Sequence, residues 1–300
     1  MTQMAPLKAY HAPTSLDECL QIMAKEGSRL IVIAGGQSVM PLLKTRGLRP
    51  EALLDLVHVG ELHGLDVLDA DGSLLVGAMC RHRELWSDPA VAGGWPALAD
   101  AAAGVGDRQI QNRGTIGGNL AFGTVITDMK QVAMCLDAEL HIAGPEGERK
   151  VGALELFADA ERMLLQPGEL LKAVCFPPAG KGGGSAYRKY GITANGRPVI
   201  GVAAAVTLDE AGLCADARIV VGGLVPCPNI AKYAAQSLIG KKVDTQGIAA
   251  AADAAAEEIK PQSDSRATSA YRRQLVRVYG RQVLELAFER AQEDLSRWNS

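Results

Sequence analysis

The sequence is poor in the patterns that usually announce a metal, a cluster or a nucleic-acid partner. Its six cysteines are Cys19, Cys80, Cys135, Cys175, Cys214 and Cys227. They include no C-x-x-C pair, and the nearest two are thirteen residues apart. An iron–sulfur cluster usually takes four thiolates with at least one tight pair, so none is expected within this chain. Dispersed, buried free thiols are expected instead. The five histidines (His11, His58, His63, His82 and His141) form no H-x-x-x-H or H-E-x-x-H pattern, which leaves a metal site without support. No apolar run reaches transmembrane length. The stretch from Met1 to Pro13 has one lysine and no apolar h-region. It does not read as a signal peptide, so cytoplasm is the expected location. With 31 basic against 34 acidic residues the net charge is -3. That excludes a strongly basic footprint for nucleic acid.

What is present is a chain of 300 residues, 48% hydrophobic, long enough for roughly two domains. Ser15 and Glu18 are spaced as a capping box. Leu16, Leu20 and Met23 follow at helical intervals up to Gly27. Leu30 to Ala34 is a short β-branched run that reads as a buried strand, stopped by Gly35-Gly36-Gln37-Ser38. Strands are expected at Leu53 to Leu56, Leu74 to Ala78 and Glu139 to Ala143, and helices at Pro96 to Ala103 and Asp128 to Leu136. Two prolines and four glycines make Pro177 to Gly184 a linker or long turn. Beyond it, strands are expected at Val199 to Leu208 and Ala217 to Val221, then a helix at Ala249 to Ile259. A final stretch, Ala267 to Leu295, reads as one helix or two with a break near Gly280. Its stripe of Leu275, Val278, Val283 and Leu286 is expected to face the core.

Two glycine loops stand out. One is Ala34-Gly35-Gly36-Gln37-Ser38; the other is Thr115-Ile116-Gly117-Gly118-Asn119. Glycine permits positive φ and lets a ligand come close without a Cβ in the way. Successive amides in such turns can form an anion-binding nest. Gln37, Ser38, Thr115 and Asn119 would add side-chain hydrogen bonds. Neither loop has the G-x-G-x-x-G spacing of a Rossmann fingerprint, and no G-x-x-x-x-G-K-[ST] is present. Taken singly, each is as readily a plain turn. Together they can form a cradle for a dinucleotide pyrophosphate.

These loops, with Asn112-Arg113-Gly114 leading into the second, resemble the FAD-binding (medium) subunit of the xanthine dehydrogenase and carbon monoxide dehydrogenase family of molybdenum hydroxylases. Further likenesses are Lys44 to Pro50, Asp107 to Arg113, Pro167 to Leu171, Tyr187 to Tyr190, Asp264 to Ala267 and Tyr271 to Arg273. The resemblance implies an α+β chain. A vanillyl-alcohol-oxidase-type (PCMH-type) FAD-binding domain would span 1–178, with lobes of about 1–57 and 58–178. A small antiparallel sheet with helices would follow over 179–300. It implies FAD in this chain, molybdopterin on a large partner and two [2Fe-2S] clusters on a small one, the whole forming a dimer of heterotrimers. Ala34 to Ser38 and Thr115 to Asn119 would wrap the pyrophosphate and adjoining sugar. Asp128, Leu171, Lys189 and Val105 would be further FAD contacts. No side chain is expected to act as a catalyst, because the flavin carries the chemistry. A stand-alone FAD oxidoreductase of the same fold is the competing expectation, but it would need an acid or base that the scattered histidines do not supply.

Two segments depart from the family's pattern. Leu120 to Thr127 has no proline. Asn195-Gly196-Arg197 has no aromatic where members often carry one near the isoalloxazine. Arg197 is the candidate there for stabilising an anionic reduced flavin.

Overall fold

A computed structural model describes residues 6–122, 127–157, 165–193, 196–223 and 228–298. Cys227, Asn195 and residues 123–126 of the departing segment lie outside these. The described residues form three sheets. The first is parallel, in the order β1 (Ala9–His11), β3 (Ala52–Asp55), β2 (Leu30–Ile33). It carries α1 (Leu16–Glu26) and α2 (Val39–Lys44).

Ser15 caps α1, its hydroxyl accepting from the Glu18 amide at 3.2 Å. The Glu18 carboxylate reaches back to the Thr14 amide rather than to that of Ser15, so only half of the capping box forms. Gly27 ends the helix at φ 57. Strand β2 is an edge, and only Ile33 in it is fully buried. The central position belongs to β3, whose Leu54 is wholly inaccessible. A run of β-branched residues reports strand character but not whether a neighbour covers both sides.

The second sheet is antiparallel, ordered β4 (Leu65–Val67), β5 (Leu74–Gly77), β8 (Leu170–Phe176), β6 (Glu139–Gly144), β7 (Gly147–Gly152). Between β5 and β6 the described residues form six helices: α3 (His82–Ser87), α4 (Pro89–Gly94), α5 (Pro96–Gly104), α6 (Arg108–Gln111), α7 (Ile116–Ala121) and α8 (Met129–Cys135). A short α9 (Ala153–Phe157) follows β7.

The third sheet, also antiparallel, is ordered β12 (Asn229–Ile230), β11 (Cys214–Gly222), β10 (Ile200–Leu208), β9 (Gly183–Tyr190). Helices α10 (Lys232–Gln236), α11 (Thr245–Glu258) and α12 (Ser269–Trp298) accompany it. Gly183 and Gly184, expected in a turn, belong to β9. At Gly184 helix α12 lies on the strand, and a Cβ would sit 2.2 Å from the Ala287 carbonyl oxygen; at Gly183 a Cβ would sit 2.6 Å from the Ala179 carbonyl oxygen.

Helix α12 runs unbroken through Gly280, where an added Cβ would meet that of Ala252 in α11 at an ordinary contact distance of 3.5 Å. The glycine marks no kink. Leu275 and Val283 are buried as expected, Leu286 is partly so, and Val278 faces solvent. The stripe is therefore narrower than the sequence spacing implied. One core joins the second sheet to the third: Tyr187, Ala203 and Val220 pack with Leu98, Val132 and Val174.

Candidate functional site

A cavity of about 490 Å³ runs between the first two sheets and reaches the third. Both glycine loops form its walls. The first leaves the end of β2. The second begins at Thr115, whose hydroxyl accepts from the Gly118 amide at 3.1 Å and so starts α7. The loops touch: a Cβ on Gly118 would lie 3.7 Å from that of Ala34.

The loops contribute differently. In the second, the amides of Ile116, Gly117 and Asn119 donate to Cys80, Ala78 and Thr115. Among the described residues, the amides of Gly35, Gly36, Gln37 and Ser38 donate to no protein acceptor. Loop one is therefore the nest of free donors, with Gly36 at φ +74 giving the reversed curvature. Loop two contributes close backbone and the Asn119 side chain, whose Oδ1 accepts from the Met129 amide at 3.4 Å.

The glycines are also bare for a different reason from the one expected. A Cβ on Gly35 would lie 2.0 Å from the Arg113 carbonyl oxygen, and one on Gly117 would lie 2.6 Å from that of Ala78. Protein backbone, rather than open ligand space, excludes the side chain at both.

Thirteen of the fourteen residues singled out in the sequence line the cavity: Ala34, Gly35, Gly36, Gln37, Ser38, Thr115, Gly117, Gly118, Asn119, Asp128, Leu171, Lys189 and Val105. Ile116 is the exception. Its side chain is fully buried in the core. Arg197 lines the cavity and also a smaller pocket of about 410 Å³ with Ile192, Thr193 and Arg266.

At the α8 end, Asp128 is 5% exposed. Its carboxylate accepts from the Tyr187 hydroxyl at 2.7 Å and pairs with Lys189 Nζ at 3.1 Å. The Tyr187 oxygen in turn accepts from Gln131 Nε2 at 3.1 Å. Burial pushes the Asp128 carboxyl up from its ordinary range, although Lys189 and Tyr187 both pull it down. Burial likewise raises the Tyr187 phenol well above its usual value, with the Asp128 charge adding to it.

Sequence reasoning missed Gln131, Tyr187 as a partner of Asp128, and His82, whose ring also lines the cavity. Gln131 and Tyr187 are 56 residues apart, and nothing local in the sequence joins them.

The site suits FAD. Free amides at a glycine turn match a pyrophosphate. Buried polar atoms without protein partners, His82 Nδ1 and Thr127 Oγ1, belong to residues of the same wall.

Residues 3–179 match the family described as "FAD binding domain in molybdopterin dehydrogenase", and residues 176–287 match the "CO dehydrogenase flavoprotein C-terminal domain". The 6-hydroxypseudooxynicotine dehydrogenase complex subunit alpha of Paenarthrobacter nicotinovorans is 34% identical over 282 residues, 94% of this chain and 95% of that protein. The carbon monoxide dehydrogenase medium chain of Afipia carboxidovorans is 32% identical, covering 94% and 97%. The crystal structure of quinoline 2-oxidoreductase from Pseudomonas putida superposes with a TM-score of 0.88 at 32% identity, covering 98% of this chain and 100% of that one. The fold is thus the PCMH-type FAD domain followed by a small sheet and helices, and the chain belongs to the FAD-binding subunits of the molybdenum hydroxylases, the flavoprotein partners in xanthine dehydrogenase-type and carbon monoxide dehydrogenase-type oxidoreductase complexes.

Proposed function

We propose that this chain is the electron-transfer subunit of such a complex, taking electrons from a [2Fe-2S] subunit and delivering them to a terminal acceptor. Substrate oxidation then belongs to a molybdopterin-binding large subunit. The observation that carries this reading is the cavity itself, where two glycine loops far apart in sequence meet over a nest of unpaired amides. When bound, FAD supplies one- and two-electron chemistry. The protein's part is to bind and orient it and to set the electrostatics around it.

In this assignment the amides of Gly35 to Ser38 hold the pyrophosphate. Thr115 and Ile116 shape the second loop rather than donate to the ligand, and Gly117, Gly118 and Asn119 close the cradle. Asp128, Lys189, Leu171 and Val105 line the remainder. Lys189 presents a cation whose charge is largely met by Asp128, so the pair orients without adding net charge. The relatives' names as a medium chain and a complex subunit support large and small partners, and a dimer of heterotrimers is the proposed assembly. The domain division near residue 178, with lobes meeting near residue 57, is part of the same proposal. A cytoplasmic setting accords with five described cysteines that are all free, and no described helix is long and apolar enough to cross a membrane.

Native purification tests the reading. A flavin spectrum with iron–sulfur bands, and two co-purifying chains, one larger and one smaller, is the expected result. A lone yellow protein that oxidises a substrate unaided would replace it with the stand-alone oxidoreductase.

A further inference from the structure

His82 is placed by the second glycine loop. Its amide donates to the Gly114 carbonyl at 3.0 Å, which sets the start of α3 beneath that loop. The ring packs close to the backbone: a Cβ on Gly114 would come 3.1 Å from His82 Cδ2 and 3.4 Å from Nε2. The side chain is 2% exposed, and the residue lines the FAD cavity.

Its hydrogen bonding is incomplete. Nδ1 is buried without a partner, and among the described residues neither ring nitrogen bonds to a protein group. A neutral imidazole carries one donor and one acceptor. Buried polar atoms in folded proteins are nearly always paired, because an unpaired one forfeits its hydration. Nδ1 has no surface open to the cavity, whereas Nε2, also without a protein partner, is not enclosed in this way and is the nitrogen that a molecule in the cavity can meet. Thr127, whose buried hydroxyl is also unpartnered, lines the same space. The Lys189 charge acts on the ring, and both residues line the same cavity.

We propose that His82 is a cofactor-contacting residue, its imidazole Nε2 forming a hydrogen bond to bound FAD. The proposal rests on FAD occupying this cavity. Like the Asp128–Lys189 pair, such a contact fixes the ligand without adding net charge to the site.

The test uses the assembled complex, stripped of flavin and titrated with FAD. Wild-type protein must first rebind FAD; if it does not, the placement of FAD fails and His82 is not the issue. With rebinding established, His82→Leu should raise the FAD Kd about tenfold, the equivalent of one lost hydrogen bond. His82→Gln, which keeps a donor and an acceptor, should recover most of that loss. A shift in flavin midpoint potential in His82→Leu places the contact on the ring; an unchanged potential with weaker binding places it on the ribityl or pyrophosphate portion. A folded His82→Leu protein with wild-type Kd and wild-type potential would overturn the proposal. If His82→Leu does not fold, the full wild-type chain labelled with 15N-histidine decides. The His82 ring resonances should move when FAD is added, and unmoved resonances would overturn the proposal equally.

Discussion

Gly35 lies with its α-carbon against the main-chain carbonyl of Arg113, so close that a methyl group would sit 2.0 Å from that oxygen. The contact fastens loop one, where the free amides are, to the lead-in of loop two. Gly35→Ala must push the two loops apart. Overpacking of this kind costs about 1–3 kcal/mol, and the displaced amides should hold FAD poorly. Thermal unfolding and the ratio of flavin to protein absorbance measure both effects together. Gly93, exposed in α4 with nothing near an added Cβ, is the control. Gly93→Ala should leave FAD content unchanged and be neutral to slightly stabilising, by up to about 1 kcal/mol.

The buried pair of Asp128 and Lys189 gives a second expectation. Their side chains are 7% and 11% exposed. Asp128→Ala would leave the Lys189 ammonium buried without its counter-charge, which costs about 3–5 kcal/mol. Tyr187→Phe removes one hydrogen bond from the same carboxylate, at about 1–2 kcal/mol. The ordering, Asp128→Ala well beyond Tyr187→Phe, can be read from urea midpoints. Equal effects would mean that the ion pair contributes little.

The same network shows where sequence reading stopped. Both loops could be singled out because each is a short motif, whereas Asp128 and Lys189 came only from the family resemblance; all of these reach the cavity. Gln131 could not be singled out, because what defines it is two glycines on other strands. A Cβ on Gly222 would lie 2.4 Å from Gln131 Cδ, and one on Gly201 would lie 2.7 Å from Nε2. Those glycines leave room for a glutamine from α8 to enter the third sheet, and no local pattern announces it. The edge position of β2 was hidden for a related reason, since strand order is a property of distant pairings. Hydrophobic spacing located α12 but assigned Val278 inward, because on a long helix the buried stripe narrows to the residues that meet α11 and the sheet.

Gly222→Ala should therefore act at a distance. The added methyl displaces Gln131, which then cannot donate to Tyr187, and the hydrogen bond from the Tyr187 hydroxyl to Asp128 loosens. A loss of about 1–3 kcal/mol from overpacking is expected. Combined with Tyr187→Phe the two should be less than additive, since both act on one network. Full additivity in a double-mutant cycle would separate Gln131 from the Asp128 site.

Arg290 spans three elements. Its guanidinium donates to both Asp100 oxygens, at 2.7 and 3.1 Å, and to the Ser185 carbonyl at 2.7 Å. Asp100 also accepts from the Tyr187 amide at 3.2 Å. The clasp joins α5, β9 and α12, so it holds the strand that carries Tyr187 and Lys189. Arg290→Ala should cost on the order of 2 kcal/mol, below the figure for a fully buried pair because both partners keep some solvent. It should also speed hydrogen exchange along β9 before it affects β6. Uniform acceleration across both strands would show the clasp to have no local role.

His82 sets the pH response. Burial pushes its imidazole down to about 4, from an ordinary 6.5, with the Lys189 charge adding to the effect. Below pH 6.5 the unfolded chain takes up a proton that the folded chain refuses until about 4. Stability therefore rises with pH across that window and is lost as the pH falls through it, by up to about 3 kcal/mol. Asp128 works in the opposite sense. Its raised carboxyl binds a proton more readily when folded, so its share declines as pH rises. Comparing wild type with His82→Gln cancels the Asp128 contribution, because the variant keeps that carboxyl. The expected result is a shallower dependence of Tm on pH between about 4 and 6.5 in His82→Gln, with the two proteins converging in slope above it. Parallel curves through the whole window would mean that the imidazole protonates in the folded state as freely as in the unfolded one, and that the wall around it admits water.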